Sequence, residues 1–196
     1  MIANRNYCKE DFDSLLHGMD ADDLPQLLDR LARLRAAGQR LGGLNEAQVT
    51  VLRYLGAANR FSRTPSAVAD FLVTTRGTAS QTLKVLAGKG LVADRPDPND
   101  RRVRRIDLTA AGQARLHELS EEPGSGLAWA DAAVLAGLLR QMLAGLLASQ
   151  GGRSFGLCRT CCHHQVHDGG VRCGLLGVPL MPAEAGQICQ EHVVAA

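Results

Sequence analysis

The chain has 196 residues, 45% of them hydrophobic and 21% charged, with a formal net charge of +2. This is ordinary globular composition, sufficient for one compact domain with an appendage, and it excludes a chain that needs a membrane in order to fold. Met1 to Phe12 lacks the apolar core of a secretory leader, so a cytoplasmic protein is expected.

In chain order, Leu24, Leu27, Leu28, Leu31 and Leu34 recur first at helical spacing, a stripe that wants to be buried. Thr64-Pro65 then starts a helix, with a hydroxyl cap and a proline where its missing N–H costs nothing. That helix is predicted to reach about Leu72, with Val73-Thr74-Thr75 as a turn and a second helix from near Arg76 to Gly90. On the second helix Ala79, Leu83 and Leu86 share one face. Gly77, Ser80, Gln81 and Lys84 share the other, with Arg76 and Thr78 near the start. A small, polar, basic face of this kind suits a helix lying in a DNA major groove.

Leu91 to Arg95 and Val103 to Leu108 are predicted strands around Pro96-Asp97-Pro98-Asn99-Asp100, a protruding turn. Arg101, Arg102, Arg104 and Arg105 crowd this hairpin, where a purely structural one would alternate charge signs; the concentration suits phosphate and minor-groove contact. From Arg60 to Arg105 there are ten Lys and Arg against four Asp, whereas Lys9 to Asp29 holds seven acidic residues. The positive charge is thus focused on the proposed reading head. Further on, Leu135, Leu138, Leu139, Met142, Leu143, Leu146 and Leu147 form a second helical stripe. Asp131, Arg140 and Gln141 interrupt it, so a helix pair at a two-fold interface is expected rather than a membrane span.

Leu44 to Leu55, Ser66 to Val92 and Arg95 to Gly112, with the wing pattern D-x-R-x3-I-x-L-T-x2-G, resemble MarR-type transcriptional regulators in order and spacing over about residues 24 to 150. The resemblance implies a mainly α fold with a small β-wing: a winged helix-turn-helix flanked by dimerisation helices. It implies a homodimer, with repression as the default, on a pseudo-palindromic operator in double-stranded DNA. By the family pattern Thr75 to Lys84 read the major groove, Arg101 enters the minor groove, and Asp100 pairs with Arg102 to brace the wing. The DNA-binding set is accordingly Thr75, Arg76, Gly77, Thr78, Ser80, Gln81, Lys84, Arg101, Arg102 and Arg104. One departure is the break at Pro123-Gly124-Ser125-Gly126, earlier than the long helix usual in the family. The expected segments are 1–44 and 113–152 for dimerisation, 45–112 for DNA binding, and 153–196 as an extension.

That extension holds five of the six cysteines, with His163, His164, His167 and His192. It has few large apolar groups, so it needs a staple, and a cytoplasmic setting disfavours disulfides. Metal ligation is therefore expected, with Cys158-x2-Cys161 as a chelating turn and Cys173 and Cys189 as the remaining ligands; Cys162, His163 and His192 are candidate substitutes. A histidine here is alternatively a hydrogen-bond partner of a sulfur. Zinc is the expected ion and an iron–sulfur cluster the alternative, since four thiolates suit both. Placed beside the dimerisation helices, such a site would act as a redox or metal switch; with a purely structural zinc, the signal would be a small-molecule effector in the cleft between those helices and the winged domain.

Other classes fit less well. A metal-dependent enzyme would need a metal-bound water and a base such as Glu184 or Glu191, but no H-E-x-x-H, Walker loop, dinucleotide fingerprint or G-x-S-x-G occurs. A scaffold whose tail docks another protein would leave the DNA-reading residues dispensable. Cys8 stands where hydroperoxide-sensing relatives carry a thiol, yet Glu10, Asp11 and Asp13 would raise its pKa, which argues against that role.

Overall fold

The computed structural model describes residues 18–38, 43–98, 100–120, 129–167 and 169–195, in two compact units that divide between Arg40 and Leu41. Cys8 and the Pro123-Gly124-Ser125-Gly126 break lie outside the described residues. In the first unit Asp20 and Asp23 form a reciprocal cap on a short 3-10 turn, Ala21–Asp23, which runs into helix α1, Leu24–Gly38. Leu24, Leu31 and Leu34 of its predicted stripe are exposed.

The second unit opens with α2, Glu46–Ala57, started by a capping box in which the Asn45 and Gln48 side chains each accept the other's backbone N–H. Its inward face carries Val49, Val51, Leu52, Tyr54 and Leu55, all essentially buried. Helix α3, Pro65–Phe71, begins as the sequence requires, with the Thr64 hydroxyl accepting the Ala67 N–H at 3.2 Å. After the turn, α4, Arg76–Gly88, is capped by Thr75 and buries Ala79, Leu83 and Leu86 against α2 and α3. Gly90 at φ 72° ends it: the Gly90 N–H donates to Ala87 O and the Leu91 N–H to Leu86 O, satisfying carbonyls the helix leaves open.

Strands β1, Val92–Pro96, and β2, Arg104–Leu108, form the antiparallel hairpin, paired from Val92 with Leu108 to Pro96 with Arg104. Val92 and Ile106 are buried in the core and Leu108 packs against it, while the exposed residues of the ribbon lie toward its tip. Helix α5, Ala110–Ser120, leaves β2 through Thr109, whose hydroxyl accepts the Gly112 N–H and donates to Gly90 O. A Cβ at Gly112 would lie 2.0 Å from the Leu91 carbonyl oxygen, which explains the glycine closing the wing pattern. Helix α6, Trp129–Gln150, is apolar nearly all round, and its leucines are largely exposed. By length and composition Asp131–Gln150 meets the requirement for a membrane span, with a mean hydropathy of 1.6, so Asp131, Arg140 and Gln141 interrupt it less than expected. A helix buried between two copies of a chain has the same composition.

The extension folds onto the winged domain. A 3-10 turn, Cys158–Thr160, precedes a three-stranded antiparallel sheet: β3, His164–His167, β4, Gly170–Cys173, and β5, Val178–Leu180. After a further 3-10 turn, Pro182–Gly186, Ile188 pairs in parallel with Ala58, its N–H donating to Ala57 O at 2.8 Å and its carbonyl accepting the Asn59 N–H at 2.9 Å. Phe155 packs edge-on to both rings of the stacked pair Tyr54 and Phe71. Glu184, buried, receives Arg60 at 3.0 Å, and Arg153 lies 3.3 Å from Asp70. The physical cause is the open edge at the end of α2: Ala57 O and Asn59 N–H point outward, and Ile188 satisfies both.

Candidate nucleic-acid interface

The reading surface is built from two elements with unlike supports. On α4 the buried alanine and leucines fix the helix, leaving Arg76, Gly77, Thr78, Gln81 and Lys84 exposed and Ser80 half-buried on the opposite side. Thr75 serves the helix backbone, its hydroxyl accepting the Thr78 N–H at 3.1 Å and contacting the Thr78 hydroxyl at 2.9 Å. All seven predicted helix residues are thus on one stretch of surface, with Thr75 as its cap. Preceding them, Val73 holds φ 50°, a left-handed conformation rare for a β-branched residue, in the turn that sets α4 against α3.

The wing divides its arginines. Arg105 turns inward, ion-paired with the buried Asp97 and placed over the Phe61 ring. Asp97 also accepts the Asp100 N–H at 3.1 Å, while its own N–H donates to Val103 O. Arg104 is exposed and paired with Asp94 at 2.8 Å. Arg101 and Arg102 are exposed at the tip. Asp100 does brace the tip, but by accepting the Arg102 backbone N–H at 3.0 Å rather than by pairing with the Arg102 guanidinium. The principal brace is the Asp97–Arg105 pair, which sequence reasoning missed; its signal was an acid held between two prolines, Pro96 and Pro98.

Between α4, the start of α3 and the wing lies a cleft of about 710 Å³. Arg76, Ser80, Arg102 and Arg104 line it, joined by Thr64 and Ser66, whose hydroxyls are 3.1 Å apart. The remaining wall comes from the extension, through Leu175, Leu176 and the segment Cys189 to Glu191.

Behind that wall, Cys158, Cys161, Cys173 and Cys189 border one cavity of about 10 Å³, with His163 and His164. The turn closes Cys161 N–H onto Cys158 O, and the tight Gly174 to Gly177 loop places Cys173, its Gly177 N–H donating to Cys173 O at 2.8 Å. His164 Nδ1 lies 3.5 Å from Cys158 Sγ, and the Val193 N–H donates to Cys161 Sγ at 3.5 Å. Burial, and then the neighbouring Cys189, Cys173 and Cys161, push the Cys158 thiol up to about 11. Among the described residues no three Cys, His, Asp or Glu side chains converge on a single ion position. Of the candidate substitutes, only His163 borders the cavity. Cys162 is exposed, and His192 engages Ser154 Oγ through Nδ1 at 2.8 Å and Thr160 Oγ1 through Nε2 at 2.9 Å, which leaves no ring nitrogen to face a metal. Neither candidate base is placed to act as one: Glu184 is bound by Arg60 and the Met181 N–H, and Glu191 by Arg153 at 2.8 Å.

A model of the MarR family matches residues 42–103. No curated protein matches the chain. Among solved structures it is similar to apo wild-type MarR from E. coli, at 25% identity and a TM-score of 0.52, over 64% of this chain and 98% of that one. In fold it is similar to the S. aureus MepR–DNA complex, at 22% identity and a TM-score of 0.50, over 65% of this chain and 98% of that one. It also shares its fold with the transcriptional regulator SlyA, at 18% identity and a TM-score of 0.52, over 65% of this chain and 94% of that one. Taken with the capped helix and the arginine-tipped hairpin, these matches place a MarR-family winged helix-turn-helix at residues 42–103, in a chain similar over 64% of its length to MarR from E. coli.

Proposed function

We propose that the protein is a cytoplasmic homodimeric repressor that binds a pseudo-palindromic operator, reading bases with Arg76 to Lys84 and the minor groove with Arg101, and that it holds one zinc ion per chain on Cys158, Cys161, Cys173 and Cys189. The observation that carries the DNA reading is that Arg76 and Ser80 of α4 line one cleft with Arg102 and Arg104 of the wing. The zinc reading is supported by four thiols that border one cavity, Cys158 and Cys161 from one turn, Cys173 at the start of the Gly174 to Gly177 loop, and Cys189 beside Ile188.

Both parts are tested on full-length protein purified without oxygen, using a duplex recovered by in vitro selection. Arg101→Ala weakens binding by about 1 to 3 kcal/mol, whereas Lys84→Ala chiefly lowers the salt dependence. Unchanged affinity in Arg101→Ala removes the wing assignment. One zinc per chain, lost in Cys158→Ser, is expected. A brown protein containing iron and acid-labile sulfide would replace zinc with a cluster.

A second reading, in which a small-molecule effector supplies the signal, is favoured by a cavity of about 420 Å³ between α2, β2 and α5, bordered by Leu55, Leu108, Gln113 and Leu116. An effector acting there would change operator affinity at constant zinc content.

A further inference from the structure

The cysteine cavity and the DNA-facing cleft are back to back. Leu175, Leu176, Cys189 and Glu191 border both, so a partition one residue thick separates the thiols from the space between α4 and the wing. The partition is firmly held: Gly174 N–H donates to His163 O, Arg172 donates to Gly177 O at 3.3 Å, and Gln190 N–H donates to Ser62 Oγ at 2.9 Å on the winged domain itself.

We propose that the extension is a third wall of the DNA site, with the Cys173 to Val178 turn lying along the sugar–phosphate strand that enters between α4 and the wing. Charge complementarity selects this occupant. Arg76 and Arg102 face the cleft, with Arg104 beside them in its pair with Asp94, while the acids that line it are held by arginines, Asp97 by Arg105 and Glu191 by Arg153, which also reaches Asp70. The exposed Leu175 and Leu176 present apolar surface to deoxyribose, which offers no competing hydrogen-bond donors along its carbon face. The inference rests on the reading of α4 and the wing as the DNA-binding face.

The test measures duplex affinity of full-length protein by fluorescence anisotropy at about 0.15 M salt, where screening still leaves contact-range charge effects visible. The double variant L175E/L176E raises Kd by about tenfold or more, and L175K/L176K lowers it, since phosphate repulsion and attraction reverse with the sign of the added charge. Loss of folding cannot tighten binding, so the lysine pair keeps the test decisive. Val166→Glu, exposed on β3 and outside the lining of both cavities, leaves Kd unchanged. If both charge pairs bind as wild type while Arg101→Ala weakens binding, the third wall is wrong and the winged-domain reading stands. If Arg101→Ala is also without effect, both are overturned.

Discussion

At the scale of single residues, the wing shows how position in a motif and position in space can assign a role differently. Asp97 is 6% exposed, sits opposite Arg105, and accepts the Asp100 N–H, whereas Asp100 is exposed and holds one backbone N–H. Removing one partner of a nearly buried ion pair strands the other charge, so Asp97→Ala is expected to cost about 3 kcal/mol in chemical denaturation. Asp100→Ala is expected to cost about 1 kcal/mol or less. A larger loss in Asp100→Ala would show that the motif acid, and not Asp97, carries the brace. The wing arginines were legible in the sequence as a group because charge density is a local property. Their division into an inward Arg105 and an outward Arg101 and Arg102 was not, because it depends on the hairpin register and on Phe61, some forty residues upstream in the chain.

Among the elements, α3 and α4 follow directly from local chemistry: Thr64-Pro65, the Thr75 cap, the 79/83/86 spacing and Gly90 each fix a boundary or a face without help from the rest of the chain. The sheet of the extension does not. Its strands are three or four residues long and rich in His and Gly, too short to show an alternating pattern, and they exist because β4 finds partners on both sides. The docking of this sheet was equally hidden, since nothing in the sequence of Ile188 or Phe155 names Ala57 or Tyr54 as a partner. One contact governs it. Glu184 is buried, with Arg60 as its counter-charge and one carboxylate oxygen, Oε1, otherwise lacking a hydrogen-bond partner. Arg60→Ala is expected to cost about 2 kcal/mol, somewhat below the range for a fully buried pair because Arg60 is partly exposed. Limited proteolysis should show the loss as faster cleavage in the 174–177 turn, and an unchanged cleavage rate would mean the aromatic and backbone contacts alone hold the extension in place.

For the whole molecule, the leucines of α6 set the expectation. Leu138 and Leu146 are each more than half exposed on a helix whose mean hydropathy meets the requirement of a bilayer, an exposure that soluble chains relieve by association. The double variant L138K/L146K is expected to sediment as a monomer and to bind a two-half-site duplex at least about a hundredfold more weakly, because linking two reading heads is what gives the second contact its high effective concentration. A dimer that survives both lysines would move the interface elsewhere.

The seating of Ile188 on the end of α2 also bears on how the chain is made. The winged domain is complete in sequence by Gly112, yet the strand segment that satisfies Ala57 and Asn59, and the Phe155 ring that covers Tyr54 and Phe71, are synthesised later. At ribosomal speeds of about 5 to 20 residues per second, the interval to Ile188 is roughly 4 to 15 s. During that time the nascent DNA-binding domain carries an open backbone edge and an uncovered aromatic pair, a window in which a chaperone, or a second chain on the same polysome, meets the very surface that the finished protein hides.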